Sequence, residues 1–407
     1  MTASSPTLAK RQTALNLTTF FFLYIAQTIP MSFFSTVMQV VMREANYSYA
    51  AIALLQVMKL PWVLKFLWAP MVDRHCRGLA EYKRTILSAE LLYAALILLI
   101  GFLNMDAHFY WIVSLVIVSL VASGTQDIAT DAMAVLTFSK KDKSLLNSMQ
   151  SMGSFGGTLV GSGLLLFIFN RFGWNTVIPF VAAFVVLAIL PLWFNRGLKL
   201  HSKGTHQRVR LTDFVWFFTQ KGIGKQVGFL LLYNAGIMGL LSIIRPYLVD
   251  LGYTIEEIGL LSGIVGTAAA FVCSFLGGML VRRIGCHKGR ILFALTTLFT
   301  ATYFLLLTFF SPQTLYIAIG ITLLWSSYGL ASIVVYTTAM ESVRAGREGT
   351  DFTVQIVITH IGGMIVAVLS GTIADQTNYT GLFAFQFALT LLSLLYVLCA
   401  FRKEKKD

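Results

Sequence analysis

Charge is what this sequence has least of. Only 12% of its 407 residues are Asp, Glu, Lys or Arg, against about 25% in an ordinary soluble domain. That deficit excludes a cytosolic enzyme, because a soluble surface of this size needs far more charge. Cysteine is also scarce. Cys76, Cys273, Cys286 and Cys399 show no CxxC spacing, so neither a disulfide framework nor a zinc site is expected. There is no glycine-rich phosphate loop with its lysine, which excludes direct drive by ATP. No cofactor signature, metal cluster or catalytic constellation stands out. Long polar stretches are missing too, apart from a basic segment at 196–225.

What is present is apolar surface. Hydrophobic residues make up 57% and aromatics 13%. Runs near 20 residues recur along the whole chain, each long enough to cross a bilayer. They must be helical, because lipid offers the backbone no hydrogen-bond partner. Twelve spans are expected, at 14–42, 49–71, 84–104, 108–138, 144–169, 174–195, 226–249, 255–281, 289–310, 313–341, 351–374 and 379–401. The polar N-terminus leads into a first run without a small-residue cleavage site, so that run reads as a retained helix.

The formal charge is +13. With the N-terminus inside, 26 of the 31 Lys and Arg fall in cytoplasmic segments. The basic excess is therefore topology, not nucleic-acid binding, and both termini are expected in the cytoplasm. The lipid bilayer is the expected medium, and a monomer the expected state.

Six spans precede the basic segment and six follow it. The chain is expected to divide into a six-helix half at 1–195, a linker at 196–225 and a second half at 226–407. A shift of 206 residues matches Tyr47 with Tyr253, Ile52 with Ile258, Leu54 with Leu260, and Gly156 and Gly157 with Gly362 and Gly363. Two helical halves related by a repeat are a transporter architecture. Gly153, Gly157 and Gly161 on the fifth span, and Thr359, Gly363, Ala367 and Gly371 on the eleventh, are spaced for close helix packing.

Intramembrane charges cost about 2.5–3.5 kcal/mol each on insertion scales and so mark function. Asp127 and Asp131 lie one turn apart on the fourth span, on one face. Proton coupling and a structural salt bridge are both open readings. Lys59, mid-span on the second helix, is expected to pair with one of them. Lys65 is expected to snorkel to the interface, with Glu90 as its partner. Arg245 precedes Pro246 on the seventh span. It either reaches the outer headgroups or faces a cavity and grips an anion. Gln27, Gln126, Asn234, Trp325, Tyr328 and Tyr336 are secondary candidates for substrate binding, followed by Gln39, Gln150 and Gln355. His360, deep in a span, reads first as an interhelical hydrogen-bonder. At the repeat offset Lys59 maps to Val265 and Lys65 to Phe271. Charge confined to one half points to transport rather than scaffold.

These features resemble the major facilitator superfamily, which implies an all-α membrane fold of twelve helices in two pseudo-symmetric halves. The loop after the second span carries the acid and bases of that family's gating loop, at Asp73, Arg74, Arg77 and Arg84. The second copy has Val281 where the acid is expected. The strings KFLWAPMVDR (65–74) and TQDIATDAMAV (125–135) resemble the branch containing AmpG muropeptide permeases, acetyl-CoA transporters and RhtX/FptX siderophore transporters. The compact length is closest to the siderophore group. The resemblance implies a proton-coupled importer of a siderophore or metal–siderophore complex in a bacterial inner membrane. The alternative is a permease for muropeptides or another bulky anionic solute. A membrane-embedded transferase is the reading from another class; it lacks a nucleophile–base pair near Asp127 and Asp131.

Overall fold

The structure, a computed structural model, describes residues 6–44, 60–104, 107–201, 209–310 and 313–401. Every regular element among them is helical. Ten helical segments are long and apolar enough to span a membrane. Nine coincide with single expected spans. The tenth, Glu348–Ala400, holds two: its 53 residues would reach about 80 Å as one rod, but Asn378 has φ 62° and breaks it. The Gln386 Nε2 donates to Ser370 Oγ at 2.6 Å. These residues stand equally far from Asn378 on either side, so the chain doubles back there. The second expected span falls mostly outside the described residues. Its visible end is broken into Leu60–Leu64 (α2), a 3-10 turn at Lys65–Leu67, and Ala69–His75 (α3).

The chain forms two compact units. The first comprises residues 1–139, 152–214 and 343–353. Its main helices are Pro6–Glu44 (α1), Leu79–Gly101 (α4), Phe109–Thr137 (α5) and Trp174–Phe194. Phe33, Phe34, Tyr93, Ile97, Val116, Trp174 and Ile178 form its core, with the Phe34 ring edge-on to Trp174 at 6.1 Å. The glycine spacing on the fifth span does what its sequence suggests. A Cβ on Gly153 would stand 2.7 Å from Tyr24 Cβ, one on Gly157 would stand 2.6 Å from Thr28 Cβ, and one on Gly161 would strike the Ile29 carbonyl. Only glycine lets that helix lie so close to α1.

The second unit comprises residues 140–151, 215–342 and 354–407. One core cluster gathers Ile237, Leu240, Ile244, Phe304, Ile321 and Phe383; another gathers Phe229, Tyr233, Phe293, Ile333 and Val397. The small-residue spacing of the eleventh span is not used in the same way. Gly363 makes ordinary contact with Met238, and Gly371 faces open space. Both units leave large apolar side chains exposed, among them Leu187, Phe299, Val368 and Trp193. In water such a surface would drive association; against lipid it is satisfied.

Candidate functional site

The site in the first unit is built on α5, whose 29 residues contain no proline and only two charges, Asp127 and Asp131. The i, i+4 spacing puts both on one face, and both are buried. Lys65, also buried, forms an ion pair with Asp127. Its ammonium lies 4.5 Å from the centre of the Trp62 ring. Trp68 Nε1 donates to Thr125 Oγ1 at 3.2 Å, which fastens the KFLW turn to α5. From α1, Tyr24 Oη donates to Asp131 Oδ1 at 2.8 Å. One turn further, Gln27 Nε2 donates to Gln126 Oε1. Asp127 and Lys65 both act electrostatically on Asp131.

Several expectations change here. Lys59 lies outside the described residues, and the partner of Asp127 is Lys65. Lys65 does not snorkel, because the 3-10 turn between α2 and α3 points it into the interior. Nor does it pair with Glu90, whose carboxyl has no hydrogen-bond partner among the described residues. Tyr24 carried no sequence signal. It sits in an apolar run, where a tyrosine reads as core, and only its buried hydroxyl's need for a partner connects it to the site.

The acid of the expected gating loop is found in a specific place. Asp73 accepts hydrogen bonds from Gly349 N at 3.0 Å, Thr350 N at 2.7 Å and Thr350 Oγ1 at 2.6 Å. It therefore caps the N-terminus of the helix starting at Glu348, where unsatisfied N–H groups and the helix dipole favour an anion. A Cβ on Gly349 would stand 2.8 Å from Asp73 Oδ1. Burial pushes the Asp73 carboxyl up to about 7; the three hydrogen bonds oppose this, and the charge of Glu348 adds to it. Arg74, Arg77 and Arg84 are exposed and make no ion pair among the described residues, so the acid carries this contact by itself. Beside it, Arg344 grips Asp351 through Nε at 2.8 Å and Nη2 at 2.6 Å. Arg347 Nε reaches Asp213 at 2.8 Å. Sequence marked these arginines only as cytoplasmic basic residues and did not single out Asp213.

The secondary candidates of the second unit do not gather into one cluster. Arg245 is exposed and makes no ion pair among the described residues. Asn234 is buried at the break between helices Ile223–Leu232 and Ala235–Asp250. Trp325 and Tyr328 pack edge-on at 6.3 Å, and Trp325 lies directly over Gly266. Tyr336 packs against the Phe229 core. Gln355 is held by Gln226 at 2.7 Å and donates to the Ala339 carbonyl at 3.0 Å, so it serves packing. Val281, in place of the second acid, is buried against Gly289.

Comparison with known proteins agrees with this architecture. The profile of the Major Facilitator Superfamily matches residues 18–367. The putative transporter AmpG 3 of Rickettsia prowazekii is 24% identical over 388 residues, covering 91% of both chains. The anhydromuropeptide permease of Escherichia coli K12 is 21% identical over 381 residues, covering 92% of this chain and 77% of its own. Among solved structures, the fucose:proton symporter FucP of E. coli superposes with a TM-score of 0.69 at 15% identity, covering 95% of this chain and 98% of its own. The human organic anion transporter MFSD10 gives 0.71 at 12% identity, covering 97% and 100%.

Proposed function

The chain belongs to the Major Facilitator Superfamily, and on that premise we propose that it is a proton-driven permease for an anhydromuropeptide-like solute in a bacterial inner membrane. It is a multi-pass membrane transporter; the substrate class, the coupling ion and the cytoplasmic placement of both termini are the proposed parts. The relatives above point to muropeptides rather than to the siderophore expected from chain length, so the alternative reading becomes the main one. A muropeptide, a sugar joined to a short peptide, is bulky and carries carboxylates. Arg245, exposed on its helix, is the residue proposed to meet such an anion bidentately.

The observation that carries the proposal is the buried group Lys65, Asp127, Asp131 and Tyr24. It sets two carboxylates against one cation, so a single proton brings the group to neutrality. Charge in a low-dielectric interior must be balanced or neutralised. Proton binding at Asp131 would leave the Lys65–Asp127 pair intact. Proton release would leave a net negative site that only a change of conformation could expose to water. In alternating access, with halves at 1–195 and 226–407 rocking about the linker, that difference couples proton movement to substrate movement.

The test is uptake into proteoliposomes carrying the purified protein. A proton gradient should drive accumulation of labelled anhydromuropeptide, and Asp131→Asn should abolish the gradient's effect. Accumulation of a labelled ferric siderophore instead would overturn the substrate assignment. Gradient-dependent uptake unchanged in Asp131→Asn would overturn the coupling assignment.

A further inference from the structure

The basic segment between the two sets of spans is tied down near its end. Asp213 opens the short helix Asp213–Trp216 and is buried, although its neighbours in sequence are polar. Its Oδ2 accepts from Arg347 Nε at 2.8 Å and from the Arg210 N–H at 2.9 Å. Its carbonyl accepts from Arg344 Nη2 at 2.8 Å. The next residue, Phe214, sets its ring edge-on to Phe66 at 5.5 Å. Phe66 is the middle residue of the 3-10 turn Lys65–Leu67, and Lys65 just before it holds Asp127. Trp68 fastens the far end of this turn to Thr125 on α5; Phe214 backs its middle. Contacts therefore run from Arg344 and Arg347 through Asp213, Phe214 and Phe66 to the buried ion pair. The ends of this line matter. The first unit gives way to the second after Phe214, and it takes the chain back for residues 343–353. Asp213 thus binds together two places where the chain crosses between the units.

We infer that Asp213 and Phe214 are positioning residues for the proton site: the linker, anchored through Asp213, uses Phe214 to hold the turn that keeps Lys65 on Asp127. The inference rests on the proton-coupled reading above. A buried lysine is stable only beside its counter-charge, and its long stem lets the ammonium leave for the headgroups once the turn relaxes. Release of Asp213 from the two arginines withdraws Phe214 from Phe66 and frees the turn to relax. Asp127 is then left without its cation. A carboxylate stranded in the interior must be neutralised, here by a proton from the aqueous phase. Movement of the crossing segments thereby sets whether Asp127 carries a proton, without any contact between the linker and the carboxylates.

Two readouts test this on the purified full chain in lipid. The first needs no substrate. It is the rate at which a water-soluble amine-acylating reagent modifies Lys65, read by mass spectrometry of the peptide that carries it. Lys65 should react at least about tenfold faster in Phe214→Ala and in Asp213→Ala than in wild type. Lys83, held by the carbonyls of Leu192 and Asn195, should keep its rate within about twofold, as expected of a unit that stays folded. Phe214→Tyr and Asp213→Glu should restore most of the protection of Lys65. The second readout is transport of labelled anhydromuropeptide. Phe214→Ala should lose gradient-driven accumulation by at least about fivefold while counterflow stays within about twofold, and Phe214→Tyr should recover it. An unchanged Lys65 rate in both alanine variants overturns the inference, as does full accumulation by Phe214→Ala. If Lys83 speeds up together with Lys65 in both alanine variants, the contact serves stability alone and the inference falls. Failure of wild type to move the muropeptide would count against the proposed substrate and leave the Lys65 rates to decide the role of the linker.

Discussion

Lys65 and Asp127 stand 62 residues apart in the chain and form an ion pair in the interior of the first unit. Removing one member of such a pair strands the other charge, a loss of about 3–5 kcal/mol. Lys65→Met should therefore lower the unfolding temperature markedly in detergent. The double variant Lys65→Met/Asp127→Leu should recover much of the loss, because it buries no uncompensated charge. Additive losses in the two single variants, with no recovery in the double, would mean that the pair is not coupled in the folded protein.

Tyr24 holds Asp131 by one hydrogen bond at 2.8 Å. Tyr24→Phe keeps the ring and removes only the donor. A stability loss of about 1–3 kcal/mol is expected, the effect of leaving a buried acceptor unsatisfied. Gradient-driven uptake should fall more than counterflow exchange does, since the orientation of Asp131 matters only to the coupled reaction. Equal reductions in both assays would assign Tyr24 to packing alone.

Gly161 and Gly163 offer an internal control two residues apart. A Cβ on Gly161 would meet the Ile29 carbonyl, while one on Gly163 meets nothing within 4 Å. Gly161→Ala should destabilise by about 1–3 kcal/mol, the range for overpacking. Gly163→Ala should be neutral or slightly stabilising, as alanine is the better helix former. Thermal unfolding of the two variants side by side checks the contrast.

Asp73 makes its contact with Gly349 and Thr350 sensitive to pH. Its carboxyl lies near 3.8 when free and is pushed up to about 7 where it caps Gly349 and Thr350. Burial, against the opposing hydrogen bonds of the cap, thus makes the folded state bind the proton more tightly. The stabilising contribution linked to this proton is fully present below 3.8 and is lost as pH rises through about 7. The unfolding temperature of wild type should decline across that upper window, and Asp73→Asn should flatten the decline. A wild-type profile that rises with pH would contradict the assignment.

Much of this was legible in the sequence. The spans follow from apolar run length, and Asp127, Asp131 and Lys65 stand out because charge there is rare. The depth of Lys65 was not legible. A continuous helix through 49–71 places it near the headgroups, whereas the 3-10 turn, with Pro70 entering the next helix, turns it inward. Tyr24 was hidden by its apolar neighbours, and Asp213 by its place in a polar linker. Each is defined by a partner far away in the chain, and single-helix periodicity carries no information about such partners. Glu90 was noticed, but for a pairing that Lys65 does not make.

The reversal at Asn378 also bears on how the protein moves. The last two crossings are separated by a single residue with positive φ, and Ser370 and Gln386 face each other across the bend. A turn this short leaves the two helices no freedom to separate, so they are expected to move in the membrane as one hairpin, and a tag or protease site placed at residue 378 should loosen that hairpin as well as report on topology.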